Sequence, residues 1–373
     1  MIPGLTFGEL TAPVAIVQGG MSVGVSLSGL ASAVAREGGV GVIGSAGIGM
    51  LESSALGFIE RNNCALRSEI RKAFSMSNGV GLIGVNVMVA LSNFDELVRV
   101  AIEEKVDLIF AGAGLPLRLP VHAKKNMRTK LIPIVSSARA AELISRRWIG
   151  KYHYVPDGFV IEGPMAGGHL GFRENEIEDP KFALEEILPP LIRLAQELGS
   201  RYKKNIPVIA AGGIYTGADI VRIFKLGASG VQMGTRFVTT HECDASLEFK
   251  MAYVHSGRDD IRIIKSPVGL PGRVIQNVFI DEISAGKRKP YQCPFKCIIT
   301  CDFKQSPYCI ALALTNARKG DLRNGFAFCG ANAYRSKEIV SVSHLMRTLA
   351  SEYVEADNHR NSLNTHVEMM ISA

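Results

Sequence analysis

Residues 206–236 read IPVIAAGGIYTGADIVRIFKLGASGVQMGTR, and the fold class follows from the order of patterns in this segment. Two apolar runs, 206–211 and 229–233, enclose one helical pattern at 218–226, and each run ends in a turn that contains glycine. The runs are nearly continuous in apolar residues rather than alternating, which is typical of parallel strands buried on both faces. The segment therefore predicts a strand–helix–strand unit of a parallel sheet.

Six earlier runs of the same kind bring the predicted strands to eight, at residues 14–18, 40–44, 81–89, 106–111, 131–135 and 158–162. Helical patterns alternate with these runs, at residues 27–37, within 50–77, and at 94–105, 138–148 and 182–202. Such alternation permits a closed (β/α)8 barrel or an open doubly wound sheet. Glycine-rich segments follow the first, sixth, seventh and eighth runs, and in a barrel these points share one mouth. We therefore predict an α/β fold of the (β/α)8 TIM barrel type.

The pattern changes after residue 257, which divides the chain into a predicted barrel, 1–257, and a C-terminal helical, cysteine-containing extension, 258–373. Loop signals begin the extension, and helical patterns follow near 310–319 and 343–355. We expect the extension to cover or flank the barrel mouth. The polar residues 357–373 are expected to fray.

The composition is that of an ordinary globular protein, with 47% hydrophobic and 21% charged residues among 373 and a formal net charge of +7. No dense basic face with interleaved aromatic residues is visible, so we expect no nucleic-acid partner. No run of about 18 apolar residues exists, so we expect no membrane partner. The first residues lack the features of a signal peptide, which predicts a cytoplasmic protein.

The glycine turns after the seventh and eighth predicted strands indicate an anion site. Gly212-Gly213 and Gly234 let backbone N–H groups approach an anion closely, and Thr235 adds a hydroxyl and Arg236 a charge. The start of the helix that follows adds the positive end of its dipole. The loops after strands seven and eight are the usual phosphate cradle of barrel enzymes. The alternative is ordinary turn chemistry; a dinucleotide-binding fingerprint after the first strand is missing.

Two further polar residues point to the same mouth. Asn86 lies within an otherwise apolar strand, where its amide either finds partners in the core or bonds a flat heterocycle. His169 lies just past the sixth strand, among four glycines, and its pKa near 6.5 would let it act as a neutral base. The alternative for His169 is a solvated loop residue.

Five ordered motifs together resemble the nitronate monooxygenase family, formerly 2-nitropropane dioxygenase, which includes FMN-dependent enoyl-acyl-carrier-protein reductases. The resemblance covers about residues 1–275 and rests on Gln18-Gly19-Gly20-Met21, Gly84-Val85-Asn86, Ala166-Gly167-Gly168-His169-Leu170-Gly171, Ala211-Gly212-Gly213-Ile214 and Gln232-Met233-Gly234-Thr235-Arg236-Phe237.

The resemblance implies that FMN binds in the barrel mouth and that His169 is the catalytic base. It implies cofactor contacts at Gly20, Met21, Asn86, Glu162, Gly167, Gly168, Gly212, Gly213, Gln232, Met233, Gly234 and Thr235. The chain departs from the family pattern at Met165, where many relatives are acidic, and at Glu162, where many have Gln. The apolar Pro164-Met165 pair would suit an alkyl or acyl chain.

Four of the seven cysteines crowd into one segment of the extension, at Cys293, Cys297, Cys301 and Cys309. Two kinds of metal centre are candidates: an iron–sulfur cluster held by four thiolates, with Cys329 able to replace one ligand, and a zinc site, whose usual spacing matches less well. The alternative is that small thiols pack a docking helix.

Three functions remain open at this point. The first is the oxidation of an alkyl nitronate with O2 to a carbonyl compound and nitrite, with His169 and Arg236 making the pocket positive. The second is the NAD(P)H-dependent reduction of an acyl thioester (an enoyl thioester) or a quinone on the same scaffold. The third is a flavin- or cluster-carrying subunit that serves a partner enzyme. The oligomeric state is open, with a homodimer as the candidate.

Overall fold

The computed structural model describes residues 1–51, 55–124, 127–287, 293 and 295–371, with side chains through residue 358. The chain begins with an antiparallel hairpin of β1 (Leu5–Phe7) and β2 (Leu10–Ala12). Eight parallel strands then close a barrel: β3 (Ile16–Gln18), β4 (Val40–Gly44), β5 (Leu82–Met88), β6 (Leu108–Gly112), β7 (Lys130–Val135), β8 (Phe159–Glu162), β10 (Val208–Ala211) and β11 (Gly230–Met233). The predicted (β/α)8 barrel is confirmed, and each strand overlaps the run that predicted it.

The strand register brings polar side chains to one level at the carboxyl ends. Ala211 of β10 is paired with Glu162 of β8 on one side and with Gln232 of β11 on the other. Met233 pairs with Gln18 of β3, and this contact closes the barrel. The opposite end is covered by the N-terminal hairpin, whose Leu5 and Phe7 side chains are buried.

Helices surround the barrel where the sequence predicts them: α1 (Ser28–Arg36), α2 (Phe58–Met76), α3 (Phe94–Glu103), α4 (Ala138–Tyr152), α5 (Leu184–Tyr202) and α6 (Gly217–Lys225). Two more, α7 (Thr235–Val238) and α8 (Leu247–His255), follow the last strand. Among the described residues between β6 and β7 there is only one 3-10 turn, Leu119–His122, so this crossover lacks an α-helix.

The residues after α8 add a small sheet and three helices. Strands β12 (Ile261–Lys265) and β13 (Pro271–Ile275) form an antiparallel pair, and the two-residue β9 (Gly168–His169) joins β13. The helices are α9 (Val278–Ser284), α10 (Ile310–Arg318) and α11 (Val342–Ile371). Aromatic side chains of this region form their own apolar cluster around Phe279, Tyr308 and Phe326.

The expectation that residues 357–373 fray is wrong as far as Ile371, because α11 continues through them; residues 372 and 373 lie outside the described part. The sequence of α11 contains neither glycine nor proline, so nothing in it interrupts the backbone hydrogen bonds. The described helices include none that is long and apolar enough to cross a bilayer.

Candidate active site

A large cavity opens at the carboxyl ends of the barrel strands and has a volume of about 940 Å³. Every residue that the sequence predicts for catalysis or cofactor binding lines it: His169, Gly20, Met21, Asn86, Glu162, Gly167, Gly168, Gly212, Gly213, Gln232, Met233, Gly234 and Thr235. The structure thus brings together motifs that lie more than 200 residues apart in the chain, at the end of the barrel where such enzymes bind their ligands.

The two glycine turns form one concave surface with free hydrogen-bond donors. The N–H groups of Gly213 and Gly234 make no hydrogen bond within the described part of the chain, and both residues line the cavity. Gly213 has φ +81°, a conformation that favours glycine, and a Cβ there would also lie 3.0 Å from the Met165 sulfur, so a larger residue would strain this turn. Both glycines are half-buried and line the cavity, so their N–H groups are available to an anionic group such as a phosphate.

The contribution of a helix dipole to this surface stays a prediction, because some of the N–H groups near α6 are used within the turn. The first N–H groups before α6 are already bound, because Tyr215 and Thr216 each donate to the Asp219 carboxylate at 3.0 Å. Arg236 is predicted to make the pocket positive, but its side chain lies elsewhere. Its guanidinium lies over the Tyr215 ring, 4.6 Å from the centroid, and does not line the cavity, although its buried Nε has no partner among the described residues.

His169 is held in the cavity wall by strand pairing and by side-chain contacts. Its strand, β9, pairs with β13, so that His169 lies across from Gly272. The ring atom Nε2 lies 2.7 Å from Ser266 Oγ, and the ring packs edge-on against Phe328 with centroids 4.9 Å apart. Burial lowers the pKa of His169 to about 4. The imidazole is therefore neutral at physiological pH, which removes the second part of the predicted positive pocket.

Glu162 is the buried acid of the cavity. It ends β8, and burial raises its pKa to about 7, since few polar groups compensate the charged form. The amide of Gln232 lies 3.5 Å from its Oε1, at the outer limit of a hydrogen bond. Around neutral pH this carboxyl group is therefore divided between the neutral and the charged form.

Gly20 and Asn86 lie side by side in the cavity wall. A Cβ at Gly20 would lie 2.4 Å from the Cβ of Asn86, so the two strand ends can approach only because position 20 is glycine. Asn86 is half-buried, and its amide has no hydrogen bond to the described residues. Asn86 lines the cavity, and the reading that its amide bonds a flat heterocycle stays a prediction.

Several residues of the cavity wall come from the extension and were not predicted as site residues. The segment from Phe328 to Asn332 lies over the glycine turns: Gly330 N–H donates to Thr235 Oγ1 at 2.8 Å, and the Asn332 amide donates to Gly213 O at 2.8 Å. Buried Arg273 donates to the carbonyls of Pro164 and Ala166 and so fixes the turn that precedes His169. These hydrogen bonds join residues that lie about a hundred positions apart in the chain, so no local sequence pattern predicts them.

The four cysteines of the extension converge on a second, smaller cavity of about 110 Å³. Cys297 lines both cavities. Burial, with a smaller effect of the nearby thiols of Cys309, Cys293 and Cys301, raises the pKa of Cys297 to about 12. Within the described ranges, no three or more His, Cys, Asp or Glu side chains are grouped so that they could hold a metal ion. A zinc centre, in which several of these side chains would hold one ion, therefore has no support from ligand geometry, and the iron–sulfur centre stays a prediction.

Comparison with known proteins identifies the family. The family model described as nitronate monooxygenase matches residues 8–352 of the chain. The chain belongs to the nitronate monooxygenase family. Members of this family generally depend on FMN.

Two similar sequences are probable nitronate monooxygenases. The protein from Staphylococcus saprophyticus subsp. saprophyticus is 31% identical over 216 residues, 57% of this chain and 55% of the relative. The one from Staphylococcus aureus is 32% identical over 184 residues, 49% of this chain and 47% of the relative. The chain thus spans about half the length of the curated relatives that it matches.

Two solved structures with the same fold align over nearly the whole length of this chain. FabK from Thermotoga maritima has a TM-score of 0.71 and 28% identity, covering 94% of this chain and 95% of that one. A nitroalkane oxidase from Streptomyces ansochromogenes has a TM-score of 0.70 and 21% identity, covering 93% and 97% of the two chains, which shows the shared fold alone.

Proposed function

We propose that the chain is an FMN-dependent oxidoreductase that oxidises anionic alkyl nitronates with dioxygen to a carbonyl compound and nitrite. The observation that carries the proposal is that the buried His169 and the two glycine turns face the same cavity. Two nitronate anions and one dioxygen balance two carbonyl compounds and two nitrite ions. FMN, when bound, supplies the redox chemistry of this reaction.

The cavity fits FMN at its phosphate end. The free N–H groups of Gly213 and Gly234, with the Thr235 hydroxyl between them, would hold the phosphate. Asn86 and Glu162 supply polar groups further along the wall, where they would meet the ribityl chain and the ring. Gly20 and Met21 line the same cavity, as do Gly167 and Gly168 next to His169.

His169 is the group that would handle the substrate proton. Its neutral imidazole can accept the α-proton of a nitroalkane, provided that a ring nitrogen reaches the substrate carbon. A nitronate anion in the cavity favours the protonated ring, so His169 would take up a proton as the anion binds and then hold it electrostatically. Ser266 fixes the orientation of the ring during both events.

A second candidate function is the NAD(P)H-dependent reduction of enoyl thioesters. It is favoured by the similarity to FabK from Thermotoga maritima over 94% of the chain and by the apolar wall that includes Leu115, Met165 and Leu270. An apolar wall of this kind suits a long acyl chain, whereas a short nitronate does not need it.

The experiment is a steady-state assay of the FMN-loaded protein with a nitronate, following O2 consumption and nitrite release. We expect turnover in the wild type and a loss of about 100-fold or more in His169→Ala, with FMN retained. His241→Ala is the matched control, because that histidine is exposed and lies outside the cavity. Equal nitrite release by the wild type and His169→Ala would remove His169 from the reaction, and no nitrite from the wild type would reject the nitronate activity.

A further inference from the structure

The small cavity of the extension is walled mainly by sulfur and apolar groups. Cys293, Cys297, Cys301 and Cys309 all line its volume of about 110 Å³, and none of them is in a disulfide. The remaining wall consists of Lys296, Ile298, Phe303, Ser306, Tyr308 and Ile310. Four thiols around one void are more than packing requires, because an apolar helix contact is served equally well by alanine or valine.

The backbone holds this cysteine segment against the barrel mouth. Ser92, in the loop after β5, donates to Cys297 O at 3.0 Å, and Ile299 donates to Ala90 O at 2.9 Å. Cys309 lies at the N-terminal cap of α10, so its position is set by that helix. The thiols are thus carried by two anchored pieces of chain.

The size of the void distinguishes a single ion from a cluster. In a zinc site each thiolate sulfur lies about 2.3 Å from the one ion, and the sulfur atoms enclose no further space. Here the described residues contain no group arranged to hold one metal ion, although four thiols surround a common space. A cluster of several iron and sulfide ions occupies the centre and keeps its four cysteines apart. The four cysteines that line one cavity are therefore the donor set of a polynuclear iron–sulfur centre.

Polar groups around the void are also of the kind that a cluster uses. The buried hydroxyl of Tyr308 has no hydrogen-bond partner among the described residues, and Tyr308 lines the cavity. The backbone N–H of Lys296 donates to Cys293 Sγ at 3.3 Å, and Ser306 Oγ lies 3.9 Å from Cys301 Sγ. Hydrogen bonds to sulfur, together with the Lys296 charge, would stabilise an anionic thiolate-bound centre.

We propose that Cys293, Cys297, Cys301 and Cys309 bind a [4Fe–4S] cluster in this cavity. Because Cys297 also lines the large cavity, the cluster lies directly beside the candidate active site. The proposal concerns binding alone and does not depend on the substrate or on FMN.

The first test measures iron and acid-labile sulfide in the full chain, purified anaerobically or reconstituted with ferrous iron and sulfide. We expect about four iron and four sulfide per chain and a broad visible absorption that dithionite bleaches. Zinc without iron, or no metal after reconstitution, would overturn the proposal.

The second test uses cysteine variants. Cys301→Ser and Cys309→Ser should each lose most of the iron and sulfide, while a thermal unfolding transition and FMN content report that the chain is folded. Cys64→Ser and Cys329→Ser are the controls: Cys64 is exposed on α2, and Cys329 lines only the large cavity. Full iron in folded Cys301→Ser and Cys309→Ser, or loss of iron in Cys329→Ser, would contradict the assigned ligands.

Discussion

The protonation state of His169 is set by its surroundings rather than by its residue type. An exposed histidine would be partly charged near pH 6.5, whereas burial lowers the pKa of His169 to about 4. The sequence predicts the position of His169 at the mouth, because four glycines follow a strand end there. It does not predict the neutral ring, since the covering residues Ser266 and Phe328 lie far along the chain.

Replacing Ser266 by Ala should loosen the His169 ring and lower turnover by roughly 10- to 100-fold, because small misplacements of a reacting group are costly. The measurement is kcat with FMN content determined in parallel. Ser145→Ala is the matched control, since Ser145 is equally buried and donates to Ala141 O on α4, outside the cavity. Unchanged kcat in Ser266→Ala would mean that the contact does not orient the ring.

Glu162 should give the reaction a pH dependence of its own. Its pKa is raised to about 7, so the carboxyl group is neutral below that pH and charged above it. Ionisation adds a negative charge to a cavity that must accept an anion. We therefore expect kcat/KM for a preformed nitronate to fall by roughly tenfold as the pH rises through about 7.

The variant Glu162→Gln keeps the shape of the side chain and removes its titration, so this fall should disappear. The comparison is made by mixing a preformed nitronate rapidly into buffers from acid to alkaline pH. A fall of the same size and midpoint in Glu162→Gln would assign the titration to another group.

At the scale of elements, the strands and the first six helices follow from periodicity because each forms from neighbouring residues. Two places show the limits of that inference: the crossover between β6 and β7, whose described residues form no α-helix, and the start of α6. At the start of α6 the Asp219 carboxylate accepts from the N–H groups of Tyr215 and Thr216, so these two donors are not available to an anion. The capping box of Thr216 and Asp219 is visible in the sequence, and it predicts that Asp219 takes up N–H groups at this helix start.

The role of the turn after β10 in FMN binding can be tested with two glycines that both have a positive φ. Gly213→Ala, at φ +81°, should weaken FMN binding at least about tenfold, because the new Cβ meets Met165 and moves the N–H group. Each substitution should lower the free energy of unfolding by roughly 1–2 kcal/mol. Gly227→Ala, at φ +98° beside Ile192, should leave FMN binding unchanged. Fluorescence titration gives both affinities, and equal affinities would remove the turn from the FMN site.

At the scale of the molecule, the extension is built into the barrel. Helix α11 packs on α6, where Phe224 and Tyr353 meet with ring centroids 5.9 Å apart and Gly217 N–H donates to Glu352. The sequence predicts that the extension covers or flanks the mouth, and Gly330 and the residues around it lie there. It does not show which residues do so, because long-range pairing leaves no local pattern. The boundary at residue 257 stays a prediction.

Leu349→Ala should measure how firmly α11 is attached. Leu349 is fully buried, so its truncation should lower the free energy of unfolding by about 2–5 kcal/mol. Val354→Ala, on the same helix but 37% exposed, should change it by less than about 1 kcal/mol. Urea unfolding compares the two, and equal values would mean that α11 contributes little to the core.

The central claim is that the barrel mouth holds FMN where His169 meets a nitronate. Anaerobic stopped-flow mixing of the FMN-loaded protein with a nitronate, with NADH and with NADPH tests it most directly. The account predicts that the nitronate bleaches the flavin absorbance rapidly, that both nicotinamides leave it nearly unchanged, and that His169→Ala slows the nitronate reaction. Rapid bleaching by NADH or NADPH, with none by the nitronate, would contradict it.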